Sequence, residues 1–350
     1  MSVYFSKKYA SLTPYTPGEQ PQNRKYIKLN TNESPFPPSE KAIRKAAEEA
    51  EKLQLYSDPQ CHSLVRKLAE TFHVSENEVL PSNGSDEILN FAFMAFCDDE
   101  HPAVFPDITY GFYPVFAQLN HIPYETIPLR EDFSICADDF CGIGKTIFIA
   151  NPNAPTGLTL SIEEIRRILD SNRENVVLID EAYVDFGAES CVNLIHEYSN
   201  LLVVQTFSKS RSMAGARLGF GIGCEELIND LNTIKYSTNP YNVNRMTMAA
   251  GVGALEDEEY TKANCESIIR TRDFTIRALN RLGFVCTDSK ANFVFAKHPR
   301  NDGKEIYEKL KERGILIRHF DLPRIAQYNR ITVGTLEQMQ TLITTLEEIL

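Results

Sequence analysis

Short apolar runs and longer amphipathic stretches take turns along this chain. Between about Val79 and Gly223, runs rich in Val, Ile and Phe recur at Ala103–Phe105, Thr146–Ala150, Val176–Ile179, Leu201–Gln205 and Leu218–Ile222. They do not alternate strictly with polar residues, which predicts strands covered on both faces. Helical spacing appears between them, over Ser85–Phe96 and Ser161–Asn172. This order predicts an α/β domain with a mainly parallel sheet between helices. Upstream, Ser39 caps a predicted helix over Ser39–Leu53. The first 28 residues are polar, with Pro14, Pro17 and Pro21, and read as an irregular arm. Downstream, a helical run over Asp257–Leu282 leads into strands at Phe284–Cys286 and Phe293–Phe295. A helix at Gly303–Arg313, strands at Ile315–Arg318 and Arg330–Val333, and a helix at Leu336–Ile349 follow. That succession predicts a smaller α+β unit. The expected division is therefore an arm over 1–28, a large domain over 29–255 and a small domain over 256–350.

Composition narrows the function classes. The 350 residues are 43% hydrophobic and 24% charged, an ordinary globular balance with enough chain for a large core. A formal charge of −12 repels phosphate backbones and argues against nucleic-acid binding. No apolar run approaches the roughly 20 residues that span a bilayer, and the first residues carry no apolar signal core. The expected location is the cytoplasm. Eight cysteines form no CxxC pair and read as free thiols. Seven histidines show no HxxxH or HExxH spacing, so no metal site is expected.

Four segments carry candidate chemistry. Leu178-Ile-Asp-Glu-Ala-Tyr183 is an apolar strand ending in Asp180, where open parallel sheets bind ligands; a strand-end Asp can also simply cap the next turn. Thr206-Phe-Ser-Lys209 is a second strand running into a lysine. A lysine facing a cleft there can lose its charge and form a Schiff base, although solvation is a lysine's usual fate. Thr206, Ser208 and Arg217 supply phosphate-type donors beside it. Pro81-Ser-Asn-Gly-Ser-Asp-Glu87 opens a helix whose free N–H groups suit a phosphate, or else are capped by Ser85 or Asp86. Asn151-Pro-Asn-Ala-Pro-Thr-Gly157 is a rigid turn after a third strand.

Taken in chain order, Gly84-Ser-Asp86, Tyr110-Gly111, Asn151-Pro-Asn-Ala-Pro-Thr-Gly157, Asp180-Glu-Ala-Tyr183 and Ser208-Lys209 followed by Arg217 resemble the fold-type I, pyridoxal-phosphate (PLP) dependent aminotransferases. Leu12-Thr-Pro-Tyr15, Leu29-Asn-Thr-Asn-Glu33 and Arg330-Ile-Thr-Val-Gly-Thr335 make the chain similar to the histidinol-phosphate branch, from about Leu12 to the C-terminus. The resemblance implies that Lys209 carries the PLP (pyridoxal 5'-phosphate) Schiff base and shuttles the proton. It implies that Asp180 pairs with the pyridinium nitrogen, Tyr183 bonds the phenolic oxygen and Tyr110 stacks on the ring. Gly84, Ser85, Asp86, Thr206, Ser208 and Arg217 are implied around the phosphate, with Tyr56 reaching it from the neighbouring subunit of a homodimer. Arg330, Arg318 and Tyr15, with Asn32 as a further contact, are implied at the substrate. The implied substrates are histidinol phosphate, which carries the phosphate, and the glutamate/2-oxoglutarate pair. One position departs from the family. The Asn that usually precedes Pro-Thr-Gly is Ala154, so either Asn153 reaches the phenolic oxygen, the reading preferred here, or Tyr183 acts alone.

The same cofactor site would serve an aromatic amino-acid transaminase or a threonine-phosphate decarboxylase. A non-catalytic PLP-binding regulatory module is disfavoured by the charge and by the lack of a basic DNA-binding segment before the arm. Gly219-x-Gly-x-Gly223 lies within a strand-like run and lacks the spacing of a dinucleotide loop.

Overall fold

A computed structural model describes residues 2–22 and 24–350. In chain order the first half holds β1 (Ile27–Lys28), α1 (Glu40–Ala50), α2 (His62–Phe72), β2 (Val79–Ser82), α3 (Ser85–Phe96), β3 (Ala103–Pro106), α4 (Tyr113–Asn120), β4 (Tyr124–Ile127), β5 (Thr146–Ala150) and α5 (Ile162–Ser171). It continues through β6 (Val177–Asp180), β7 (Leu201–Thr206), β8 (Gly219–Gly223), α6 (Glu225–Thr238), α7 (Arg245–Leu255) and α8 (Glu258–Arg281). Last come β9 (Val285–Cys286), β10 (Phe293–Lys297), α9 (Gly303–Glu312), β11 (Ile315–Leu316), β12 (Arg318–His319), β13 (Tyr328–Thr332) and α10 (Leu336–Ile349).

The central sheet has seven strands in the order β2-β8-β7-β6-β5-β3-β4. Neighbours run parallel except around β8, which is antiparallel to both β2 and β7. Both faces are covered, as the near-continuous apolar strands require. Ile147, Ile149, Val177, Ile179, Leu201 and Val203 point into one core. Phe148, Leu178, Leu202 and Val204, the residues between them, point into the core on the other face. A third core joins α8, α9 and α10 to the four-stranded antiparallel sheet β12-β13-β10-β9. The α/β fold with a large mainly parallel sheet and a small C-terminal α+β unit is thus the observed architecture. All eight cysteines are unpaired thiols. No helix among the described residues is long and apolar enough to cross a membrane, and no group of potential ligands among them could hold a metal ion.

Two local expectations change. The single strand expected over Ile315–Arg318 is two strands in different sheets. Ile315 and Leu316 pair in parallel with Ile27 and Lys28, whereas Arg318 and His319 pair with β13. Buried Ile317 is the hinge between the two sheets. Consequently the end of the arm is not irregular, because β1 ties it to the C-terminal unit.

Candidate active site

The topology gathers the sequence motifs at one edge of the central sheet. β5, β6 and β7 end there at Ala150, Asp180 and Thr206, and β2 ends at Ser82. Because β8 runs the other way, its first residue, Gly219, lies opposite both Thr206 and Ser82. Arg217, just before β8, therefore arrives at the same edge as Lys209, just after β7. Two adjoining cavities open here, of about 430 Å³ and 610 Å³. Lys209, Tyr183, Tyr110, Asp86 and Ala154 line both.

The inner cavity holds two groups with altered charge. Lys209 is partly buried and donates to the Thr31 carbonyl at 3.3 Å. Burial first, and then the Arg330 charge, push its ammonium down to about 8. Asp180 is 4% exposed, so nearly all its hydration is gone. Its oxygens accept from the Ala182 N–H at 3.1 Å and the Tyr113 hydroxyl at 3.2 Å, and no cation pairs with it among the described residues. Burial pushes this carboxyl up to about 7. Tyr113, from α4, was not singled out by the motifs. Its hydroxyl inside a buried aromatic cluster was the available signal, since a buried tyrosine hydroxyl needs a partner.

An anion cradle lies at the start of α3. Ser85 and Asp86 form its first turn, behind Gly84 at φ +79°. A side chain on Gly84 would meet the Arg217 guanidinium 2.5 Å away. Arg217 pairs with Asp86 at 3.1 Å, and Asp86 also accepts from the Tyr110 hydroxyl at 2.7 Å. Thr206 and Ser208 both line the cavity, and the Thr206 hydroxyl accepts from the Ser208 N–H and gives its proton to the Leu218 carbonyl. Gly219 supports the cradle from below, since a Cβ there would fall 2.3 Å from the Ser85 nitrogen. That glycine marks a close backbone approach within a strand, not a dinucleotide loop.

The outer cavity carries the second group of cations. Arg330 lies between Phe293 and Phe320, 5.4 and 5.7 Å from their ring centres. It donates to the Asn30 carbonyl at 3.2 Å, faces no carboxylate among the described residues, and leaves its Nε without a partner. Arg318 holds the arm, donating to the carbonyls of Thr16 and Pro17 at 3.2 and 3.3 Å. Tyr15, on that arm, stacks on Phe112 with ring centres 4.1 Å apart and lines the cavity.

Two expected residues, Asn153 and Tyr56, line neither cavity, and a third, Asn32, lines the outer one with its side chain engaged. Asn153 faces neither cavity. Its amide donates to the Ile108 carbonyl at 3.0 Å and its oxygen accepts from Thr109 at 2.8 Å, so its side chain is spent on the neighbouring loop. Ala154 and Tyr183 are the residues that face the cavities, so the side chain of Asn153 is not placed to reach a group bound there. Asn32 lines the outer cavity, yet its amide bonds Tyr183 at 2.9 Å. Tyr56 is 80% exposed, stacks on Tyr241 and lines neither cavity of its own chain.

Residues 24–346 match the family described as aminotransferase class I and II. A histidinol-phosphate aminotransferase of Clostridium botulinum is 47% identical over 100% of this chain and 99% of its own length. One from Marinomonas sp. is 49% identical over 99% of both chains. The crystal structure of histidinol-phosphate aminotransferase from Sinorhizobium meliloti in complex with pyridoxal-5'-phosphate superposes with a TM-score of 0.91. It covers 100% of this chain and 98% of its own at 22% identity, a likeness of fold. With a family match over nearly its whole length and relatives close to half identical, the chain belongs to the class I and II aminotransferases.

Proposed function

We propose that this enzyme is a PLP-dependent transaminase interconverting histidinol phosphate plus 2-oxoglutarate with imidazole-acetol phosphate plus glutamate, a step of histidine biosynthesis. The carrying observation is that the Lys209 amine and the buried, cation-free Asp180 carboxyl line one cavity, where burial pushes the first down and the second up. The full-length relatives named for this reaction support the substrate.

The residues present fit the cofactor. A buried carboxyl without a cation suits a protonated ring nitrogen, an amine with a lowered pKa suits an aldehyde, and a helix start flanked by Arg217 suits a phosphate. When bound, PLP supplies the electron sink that lets the substrate Cα–H bond ionise and the carbon that carries the amino group between half-reactions. Asp180 would hold the proton on the ring nitrogen. Tyr183 would donate to the phenolic oxygen, and Tyr110 would cover the ring. Ser85, Ser208 and Arg217 would hold the phosphate, with Gly84 leaving room for the guanidinium and Asp86 orienting it. Thr206 fixes the Ser208 backbone for this task. The Lys209 amine would take and return the substrate Cα proton, which its lowered pKa makes possible at neutral pH. Arg330 meets the anionic end of either substrate, a carboxylate or a phosphate, with Arg318 and Tyr15 beside it.

We further propose a homodimer, located in the cytoplasm, in which Tyr56 reaches the partner's phosphate cradle. Leu53, Leu55, Tyr56, Tyr236 and Tyr241 are exposed large apolar residues, and Tyr56 has no place in its own cavities. The division into arm, large domain and small domain at residues 28 and 255 belongs to the same proposal.

The test is the visible spectrum of PLP-loaded protein titrated with histidinol phosphate and, in parallel, with histidinol. Bleaching of the cofactor band at much lower histidinol phosphate concentration supports the substrate. Equal responses, or a higher kcat/KM for phenylalanine or threonine phosphate, would transfer the assignment to another member of the family.

A further inference from the structure

The family resemblance implies Asn32 at the substrate; the bonds it makes give it a further task. Asn32 is 1% exposed and sits in the turn after β1 at φ 56°, a left-handed conformation that Asn tolerates better than most residues. Every polar group it owns is engaged. Its backbone N–H donates to Thr332 Oγ1 at 2.9 Å, and its carbonyl accepts from Asn292 at 3.0 Å. Its Oδ1 accepts from Thr332 Oγ1 at 3.0 Å, and its Nδ2 donates to Tyr183 Oη at 2.9 Å.

The polarity of this chain of bonds follows from proton counting. Thr332 Oγ1 already receives the Asn32 N–H, so its single proton goes to Asn32 Oδ1. Turning the carboxamide over would set NH₂ against that hydroxyl and leave the threonine proton without an acceptor among the described residues. The NH₂ group therefore faces Tyr183. The phenol oxygen is a receiver on that side, and its own proton is free to point elsewhere. Asn153 is turned into the loop at Ile108, and Ala154, which lines the same cavity as Tyr183, offers only a methyl group.

We propose that Asn32, clamped by Thr332, is a positioning residue that aims the Tyr183 proton into the cofactor cavity and favours its release there. The proposal rests on the reading above that Tyr183 faces PLP. The physical balance agrees: burial raises the Tyr183 pKa, and the Arg330 charge and the Asn32 bond both oppose it.

The test is a pH titration of the cofactor-free protein carrying [ζ-13C]tyrosine, with the Tyr183 resonance assigned by its loss in Tyr183→Phe. Asn32→Asp keeps the side chain's size and exchanges a donor for an acceptor, so the Tyr183 midpoint should rise by about one unit or more. Thr332→Val, which frees the carboxamide to turn over, should raise it less, and it serves alone should Asn32→Asp fail to fold. In PLP-loaded protein, Asn32→Asp should move the pH midpoint of the visible band upward, and should add no shift in a Tyr183→Phe background. A Tyr183 midpoint within about 0.3 unit of wild type in the free variants overturns the proposal, because a purely structural role leaves that midpoint in place. Absence of any visible band in wild type on adding PLP would instead overturn the transaminase reading, while the free-protein titration still decides the role of Asn32.

Discussion

Replacing Lys209 with methionine is expected to stabilise the cofactor-free protein at neutral pH. The ammonium is held at about 8 in the fold against 10.5 in an open chain, so the fold opposes its charge. A drop of that size corresponds to roughly 3 kcal/mol. The sign follows from which form each state prefers. Below about pH 8 both states carry the proton and the fold bears the whole cost. Between about 8 and 10.5 the folded amine is neutral while the unfolded one is still charged, and the cost disappears as pH rises. Methionine removes the charge and keeps most of the chain's packing. It also removes the bond to the Thr31 carbonyl, worth about 1 kcal/mol. The net gain at pH 7 is therefore about 2 kcal/mol, or a rise of roughly 3 °C in Tm for a chain of this length. The assay is thermal unfolding of wild type and Lys209→Met, both free of cofactor, at pH 6, 7, 9 and 10. The gain should hold from pH 6 to 7 and fade by pH 10. A variant less stable than wild type at pH 7, or a difference that does not change with pH, would refute the claim that this cavity disfavours the lysine's charge.

The same shift sets the pH dependence of cofactor capture. Stopped-flow absorbance should show the cofactor-free protein taking up PLP about 50-fold faster at pH 8 than at pH 6, following the neutral fraction of Lys209. Asp180→Asn should bind PLP yet lose at least about 100-fold in kcat, measured by glutamate release, because the amide cannot hold the ring-nitrogen proton. Gly219→Ala should push on the Ser85 nitrogen and weaken PLP affinity at least about 10-fold in an equilibrium dialysis measurement, with a loss of about 1–3 kcal/mol in stability. Mixing inactive Lys209→Ala with Tyr56→Ala protein should restore activity in the hybrid, since one of its two sites is then intact. No restoration would separate Tyr56 from the partner's site.

The residues that could be read from the chain were those placed by a strand end. An apolar run of four to six residues has a definite exit, and Asp180, Lys209 and Ser85 stand at such exits whatever the rest of the fold does. Residues whose role depends on direction were harder. Asn153 and Ala154 are adjacent in a turn closed by the bond from the Gly157 N–H to the Asn153 carbonyl, and the one facing the cavities is the alanine. Arg318 has the charge expected of a ligand contact, but its donors hold the arm at Thr16 and Pro17. Asn32 and Thr332 are 300 residues apart and meet only because Leu29 and Thr332 join by a backbone bond. No local pattern carries that contact.

The direction of one strand explains why this edge can do chemistry. In a wholly parallel sheet the residue before β8 would lie at the far end from the residue after β7. Reversing β8 makes residues 207–218 a loop that starts and ends at the same edge, so Lys209 and Arg217 come from one connection. The reversal also sets β8 beside β2, whose exit starts α3, and the absent side chain of Gly219 lets that helix start sit directly against the strand. An amine that must be able to lose its proton is thereby held beside a cation and a helix start that attract an anion. The same cations that would bind the phosphate and the substrate help to depress Lys209, for both Arg330 and Arg217 act on it in that direction. Anion binding should in turn raise the lysine's pKa. Sulfate or inorganic phosphate added to the cofactor-free protein should therefore slow PLP capture by more than competition at the cradle alone. The excess should vanish above about pH 10, where the amine is neutral either way.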